Sequence, residues 1–161
     1  MGEILNPREI LEIAVSVEEN GEQLYLGLEK KARKEEVKQM WCFLKEQEKV
    51  HRIVFMDLIE ETDEIAAEFG SGDYHAYLKV IAADYIITRD LMEKKRDAVF
   101  NSDLEAVEFA ISMEKESILT YSALCRALKP QKQALVDKII AEEQLHLVRL
   151  HAMRSALKKG A

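Results

Sequence analysis

Apolar residues recur along this chain three and four positions apart, in four long stripes that predict four long helices. Ile10, Ala14, Gly21, Tyr25 and Leu28 form the first, and Glu18 lies within it. Met40, Leu44, Phe55 and Leu58 form the second, with Glu48 and His51 on the same face. Val107, Ala110, Ser117, Tyr121 and Leu124 form the third, with Glu114. Val136, Ile139, Ile140 and Leu150 form the fourth, with Glu143 and His146. A carboxylate or imidazole on an apolar stripe is headed for the core, so each of these six residues needs a reason to be there.

Punctuation supports the same elements. Asn6, Pro7 and Glu9 make a helix start, and Ser102 with Glu105 makes a capping box. "EFGSGD" ends the second helix at Gly70 and Gly72, Pro130 separates the third from the fourth, and Gly160 closes the chain. Asp73 caps a connection, "YHAYLKVIAADYIITRDLMEKKRDAVF", expected to carry one or two helices of its own. The expectation is an all-α, antiparallel four-helix bundle with a long, partly helical connection between its second and third helices, in a single domain over 1–161.

One junction stays open. No Gly or Pro lies between Gly27 and Gly70. In one unbroken helix Glu18 and Glu48 would stand about 45 Å apart, at 1.5 Å per residue. A turn near Ala32–Glu36, in the polar run "KKARKEE", brings them together; an exchange of helices between two chains does so as well.

The chain also repeats itself. "AVSVEENGEQLY" (14–25) aligns without a gap on "AISMEKESILTY" (110–121), matching Glu18 to Glu114 and Tyr25 to Tyr121. At nearly the same offset "EKVH" (48–51) is echoed by "EQLH" (143–146). Each half is thus a helix pair, one helix with a Glu seven residues before a Tyr and one with Glu-x-x-His, and the halves are expected to pack as pseudo-symmetric hairpins.

Composition narrows the function. With 48% hydrophobic and 33% charged residues, 6 Gly and 2 Pro, the chain suits long helices around a sizeable core. A formal net charge of −7 argues against a nucleic-acid partner. Cys42 and Cys125 are far apart with no CxxC, which excludes a cysteine-ligated zinc or rubredoxin-type iron module and fits a reducing cytoplasm. No signal peptide and no apolar run of about 18 residues is read, so no membrane association is expected.

Residues three apart on a helix project from one face, so Glu48 with His51, and Glu143 with His146, can each reach one point. Four stripes packed together gather four Glu and two His. Burying four unpaired carboxylates is costly, and two cations remove the cost; carboxylates bridge metals, and imidazole suits iron, manganese or zinc. Glu48 and His51 alone read as a solvated helix face; all six residues in a repeated register do not.

On these residues the chain resembles the ferritin-like superfamily, and within it the di-iron domain of rubrerythrins, over nearly its whole length. The resemblance implies two iron ions, with manganese or zinc as alternatives. It implies bridging by Glu48 and Glu143, completion of one site by Glu18 and His51 and of the other by Glu114 and His146, and hydrogen bonds from Tyr25 and Tyr121 to carboxylates. It implies reduction of hydrogen peroxide, with dioxygen as a lesser substrate, electrons from a separate donor such as a rubredoxin-like protein, and a homodimer; no catalytic residue beyond the metal centre is called. Iron storage or ferroxidase chemistry is the alternative, and a metal-free structural bundle a third reading. One departure stands out: rubrerythrins usually carry a further carboxylate at the place of Ser117. Outside the site, His75 is expected to be exposed, His151 lies about 140° around the helix from His146, both cysteines are expected to be quiet thiols, and "IEETDEIAAEF" is expected to be a solvated helix end.

Overall fold

The computed structural model describes residues 7–60, 72–96 and 100–160. They form α1 (Pro7–Lys31), α2 (Glu35–Glu60), α3 (Gly72–Arg96), α4 (Asp103–Cys125) and α5 (Pro130–Lys159), with no strand among the described residues. The four striped segments are α1, α2, α4 and α5. Among the described residues the connection carries one helix, α3, as long as α1; Asp73 lies in its first turn rather than ahead of it. The Asn6 cap, the "EFGSGD" stop at Gly70 and most of "IEETDEIAAEF" fall outside the described residues.

The open junction is a turn. α1 ends at Lys31 and α2 begins at Glu35. No glycine shapes residues 32–34; a carboxylate from the other half of the chain holds them. Asp103, nearly buried, accepts from the backbone N–H of Arg33 (3.0 and 3.2 Å) and of Lys34 (2.9 Å). These donors precede the first turn of α2, where N–H groups lack helical partners and a negative charge is favoured. The hairpin is antiparallel: Glu22 pairs with Arg52 at 3.0 Å, and further along α1 Glu29 pairs with Lys45 at 2.7 Å, further back on α2.

In the second hairpin Ser102 caps α4, its Oγ accepting from the Glu105 N–H at 3.1 Å. The return bond of Glu105 goes to the Asn101 N–H (2.7 Å), one residue earlier than a capping box places it. α4 ends at Cys125, and Pro130 opens α5 from the extended Lys129.

The core has three layers, and every bundle helix crosses all of them. One apolar cluster holds Ile10 to Val17 of α1, Phe55 and Leu58 of α2, Tyr121 to Leu124 of α4, and Val136 and Ile139 of α5. The other holds Leu24 to Leu28, Val37 to Leu44, Val107 to Met113, and Leu150 with Leu157. Between them along each helix lie Glu18, Glu48 with His51, Glu114, and Glu143 with His146, all buried. Read through these layers, α1 and α5 run one way and α2 and α4 the other. Two consecutive bundle helices with the same direction need a crossover that returns the chain to its starting end. α3 makes that return, from Leu78 and Ile81 in the first cluster to Met92 in the second.

α3 lies against α1 and α4. Its Tyr85 hydroxyl donates to Ser16 Oγ (2.7 Å) and accepts from Asn20 Nδ2 (3.1 Å), and its Tyr74 hydroxyl donates to the Ala123 carbonyl. Near its C-terminus it approaches so closely that a Cβ on Gly27 would stand 2.8 Å from the Arg96 carbonyl oxygen.

Candidate metal centre

The middle layer collects its polar groups because the two hairpins face each other. Glu18, Glu48, His51 and Glu143 bring four ligand atoms within 4.8 Å of one another, and so do Glu48, Glu114, Glu143 and His146. Glu48 and Glu143 belong to both groups. Glu18 and Glu143 are 0% exposed, and none of the six exceeds 5%.

Each half of the chain braces the other. Tyr25 of α1 donates to Glu114 Oε1 of α4 at 2.5 Å, and Tyr121 of α4 donates to Glu18 Oε1 of α1 at 2.5 Å. This fixes one oxygen of each carboxylate and leaves the other free to face the common space. The imidazoles lie with ring centroids 5.7 Å apart. His146 Nδ1 is 2.9 Å from Glu143 Oε2 and about as far from Glu48 Oε1 (3.9 Å) as from Glu114 Oε2 (4.0 Å).

The electrostatics record four carboxylates in a small dry space. Burial raises the pKa of Glu18 to about 7 and pushes Glu48 and Glu114 well above the usual carboxylate range, helped by their acidic neighbours. Burial acts on Glu143 in the same direction, but the imidazoles of His146 and His51 beside it outweigh burial and hold this carboxyl below its ordinary value. Burial disfavours charge on His51, yet Glu143 and Glu18 raise its pKa to about 9.

Residues 9–154 match the family model described as Rubrerythrin. The chain belongs to the rubrerythrin family. No curated protein sequence matches it. Among solved structures it is similar to a Thermotoga maritima protein described as ferritin-like and diiron-carboxylate, with a TM-score of 0.68 and 24% identity over 96% of this chain and 98% of that one. The fold is therefore the ferritin-like helical bundle. Family and donor set together identify a dinuclear metal site in the core.

The donors of this rubrerythrin-family chain fit such a site. Glu18 Oε2, His51 Nδ1 and Glu143 Oε1 are buried without a hydrogen-bond partner. His51 Nδ1 does come within 2.8 Å of Glu143 Oε1, but off the N–H axis of the ring. Buried polar atoms left in this way are expensive, and a cation among them satisfies all three.

Sequence reading missed one residue. Glu142, 45% exposed, places Oε2 2.8 Å from His51 Nε2. A neutral His51 that donates from Nε2 presents a bare Nδ1 lone pair to the core, the arrangement in which an outer carboxylate orients a metal-binding imidazole. The signal was present in the acidic pair Glu142–Glu143, but only the packing of α2 on α5 gives Glu142 its partner.

The remaining positions separate cleanly. Ser117 belongs to neither donor group; its hydroxyl turns back to the Met113 carbonyl at 3.2 Å. Gly21, its counterpart in the repeat, leaves room for Glu48, whose Cγ would meet a Cβ there at 3.3 Å. His151 stays outside, 2.9 Å from Arg154. His75 is half-buried rather than exposed, a correction that follows from α3 lying against the bundle. Cys42 and Cys125 are free thiols, and burial, with Asp137 beside it, raises the pKa of Cys125 to about 11, which keeps it protonated. None of the described helices is long and apolar enough to cross a membrane.

Proposed function

We propose that this chain is a non-haem di-iron oxidoreductase that reduces hydrogen peroxide with electrons from a separate donor. The observation that carries this reading is the pair of buried donor groups sharing Glu48 and Glu143. Glu48 and Glu143 would bridge two iron ions, Glu18 and His51 would complete one site, and Glu114 and His146 the other. Iron, when bound, supplies the electrons that cleave an O–O bond.

The protein's own contribution is geometric and electrostatic. Tyr25 and Tyr121 hold the outer oxygens of Glu114 and Glu18, so those side chains stay aimed when the charge between them changes. Glu142 fixes the His51 ring. The apolar clusters on either side limit water, which strengthens every interaction in the layer. Electrons would come from outside the helical bundle, from a rubredoxin-like protein or another reductant. Ser117 offers no carboxylate at the place where rubrerythrins usually have one, so movement of an iron between ligands at that place is not part of the proposal. Exposed Val50 and Ile53 on α2 and Leu145 and Val148 on α5 support assembly as a homodimer.

Anaerobic loading with ferrous iron, desalting and metal analysis test the site; two ions per chain are expected. Loss of all iron on desalting overturns the reading. Stopped-flow oxidation of the loaded protein then tests the activity: much faster oxidation by peroxide than by dioxygen is expected, and the reverse order selects ferroxidase or storage chemistry instead.

A further inference from the structure

The two tyrosines that brace the centre differ in what lies behind them. Tyr25 stacks on Trp41, with ring centroids 5.7 Å apart and planes 9° from parallel. Tyr121 packs instead on Phe55, at 5.0 Å and 50°. In the repeat, the place of Trp41 is taken in α5 by Val136. Trp41 is the one tryptophan of the chain. It is 1% exposed and lines a cavity of about 260 Å³ at the end of the bundle, with Lys31, Arg33 and Phe100 on the same wall. Behind Tyr25 the oxidisable rings thus run unbroken from the phenol, hydrogen-bonded to Glu114, to the indole that lines the cavity. Behind Tyr121 stands Phe55 of α2, which is far harder to oxidise.

We propose that the Trp41–Tyr25 stack is a one-electron relay that drains oxidising equivalents from the metal centre to the bundle end. The proposal rests on the oxidoreductase reading above. Tyr25 gives one electron towards the oxidised centre while its phenolic proton passes to Glu114 Oε1, 2.5 Å away. Trp41 then gives one electron to the Tyr25 radical, which recovers its proton from Glu114. An external one-electron reductant reaching the cavity returns an electron to the indole. The reductant is oxidised by one electron, the centre is reduced by one, and no bond remains broken. The lining carries Lys31 and Arg33 against a single acid, Asp103, whose carboxylate is taken up by the Arg33 and Lys34 backbone N–H groups, so an anionic reductant is the favoured donor.

The relay can be examined without iron. A flash-generated ruthenium(III) oxidant removes one electron from Trp41, and transient absorption follows the indole radical in protein loaded with redox-silent zinc. There the indole radical is expected to decay as a tyrosyl radical rises, the Trp41–Tyr25 electron exchange of the relay run in reverse, and the transfer to slow in D2O. Tyr25→Phe keeps the ring and the stack but removes the hydroxyl; it is expected to lengthen the indole radical lifetime by an order of magnitude and abolish the tyrosyl signal. Tyr77→Phe, at an exposed position on α3, is expected to change neither. An indole radical that decays equally fast with and without the Tyr25 hydroxyl overturns the relay. A failure of the di-iron reading shows separately, as loss of iron on desalting.

Discussion

The two helix hairpins carry the same chemistry in the same register but do not surround it in the same way. Glu18 and Glu114, Glu48 and Glu143, His51 and His146, and Tyr25 and Tyr121 are equivalent pairs, and each tyrosine reaches across to the carboxylate of the opposite half. Around them the halves diverge. His51 has Glu142 behind it, whereas the repeat places the neutral Gln47 at the corresponding point of α2. Gly21 makes way for Glu48, whereas Ser117 bonds to its own helix. The difference teaches that a duplicated frame fixes where donors stand, while the residues one layer out are free to give each half its own task.

The largest effect should come from the residues the halves share. Glu48→Ala or Glu143→Ala removes a donor from both groups and is expected to lose both metal ions on desalting. Glu18→Ala or Glu114→Ala removes a donor from one group and is expected to leave one ion bound. Metal analysis of the four variants decides whether the core is one bridged centre or two separable sites.

Next in size is the dependence of stability on metal and pH. In metal-free protein Glu18, Glu48 and Glu114 keep protons that the unfolded chain releases above its ordinary carboxylate pKa, so stability falls as pH rises through that range. His51, with its pKa raised to about 9, adds stability below its unfolded value that is lost as pH climbs towards 9. The stabilising contribution of Glu143, whose pKa is lowered, is already complete in this window. Metal binding needs these groups deprotonated and reverses the trend. The gap in Tm between loaded and metal-free protein, read by calorimetry, is expected to widen by roughly 10 °C between about pH 5 and about pH 8. A constant gap would break the argument.

A smaller effect tests the first asymmetry. Glu142→Gln is expected to weaken metal binding about tenfold, by removing the charge that orients His51, while Gln47→Ala changes affinity little; competition with a chelator measures both. Smallest is the second asymmetry. Gly21→Ala crowds Glu48 and is expected to cost about 1 kcal/mol in denaturant unfolding, against a change within about 0.5 kcal/mol for Ser117→Ala.

Much of this was legible in the chain. All the positions of the first stripe are buried, and the six polar residues picked from the stripes are the ones that meet. Helical periodicity reports which face is inside, and a charged residue on that face declares itself. The turn at residues 32–34 was not legible, because what stabilises it is Asp103, a side chain distant in sequence that read only as part of a cap. Glu142 was hidden for the same reason, and His75 was misplaced because the packing of α3 was unknown.

By itself the sequence determined the helices, their inward faces and the pairing of donors by duplication, since these depend on spacing along one chain. Only the tertiary structure decided that α3 returns the chain so that α2 and α4 run alike, that each tyrosine crosses to the other half, and that Trp41 stacks on Tyr25. Those facts depend on which faces meet. Contact between distant residues is set by the packing of all the helices together, which no local pattern records.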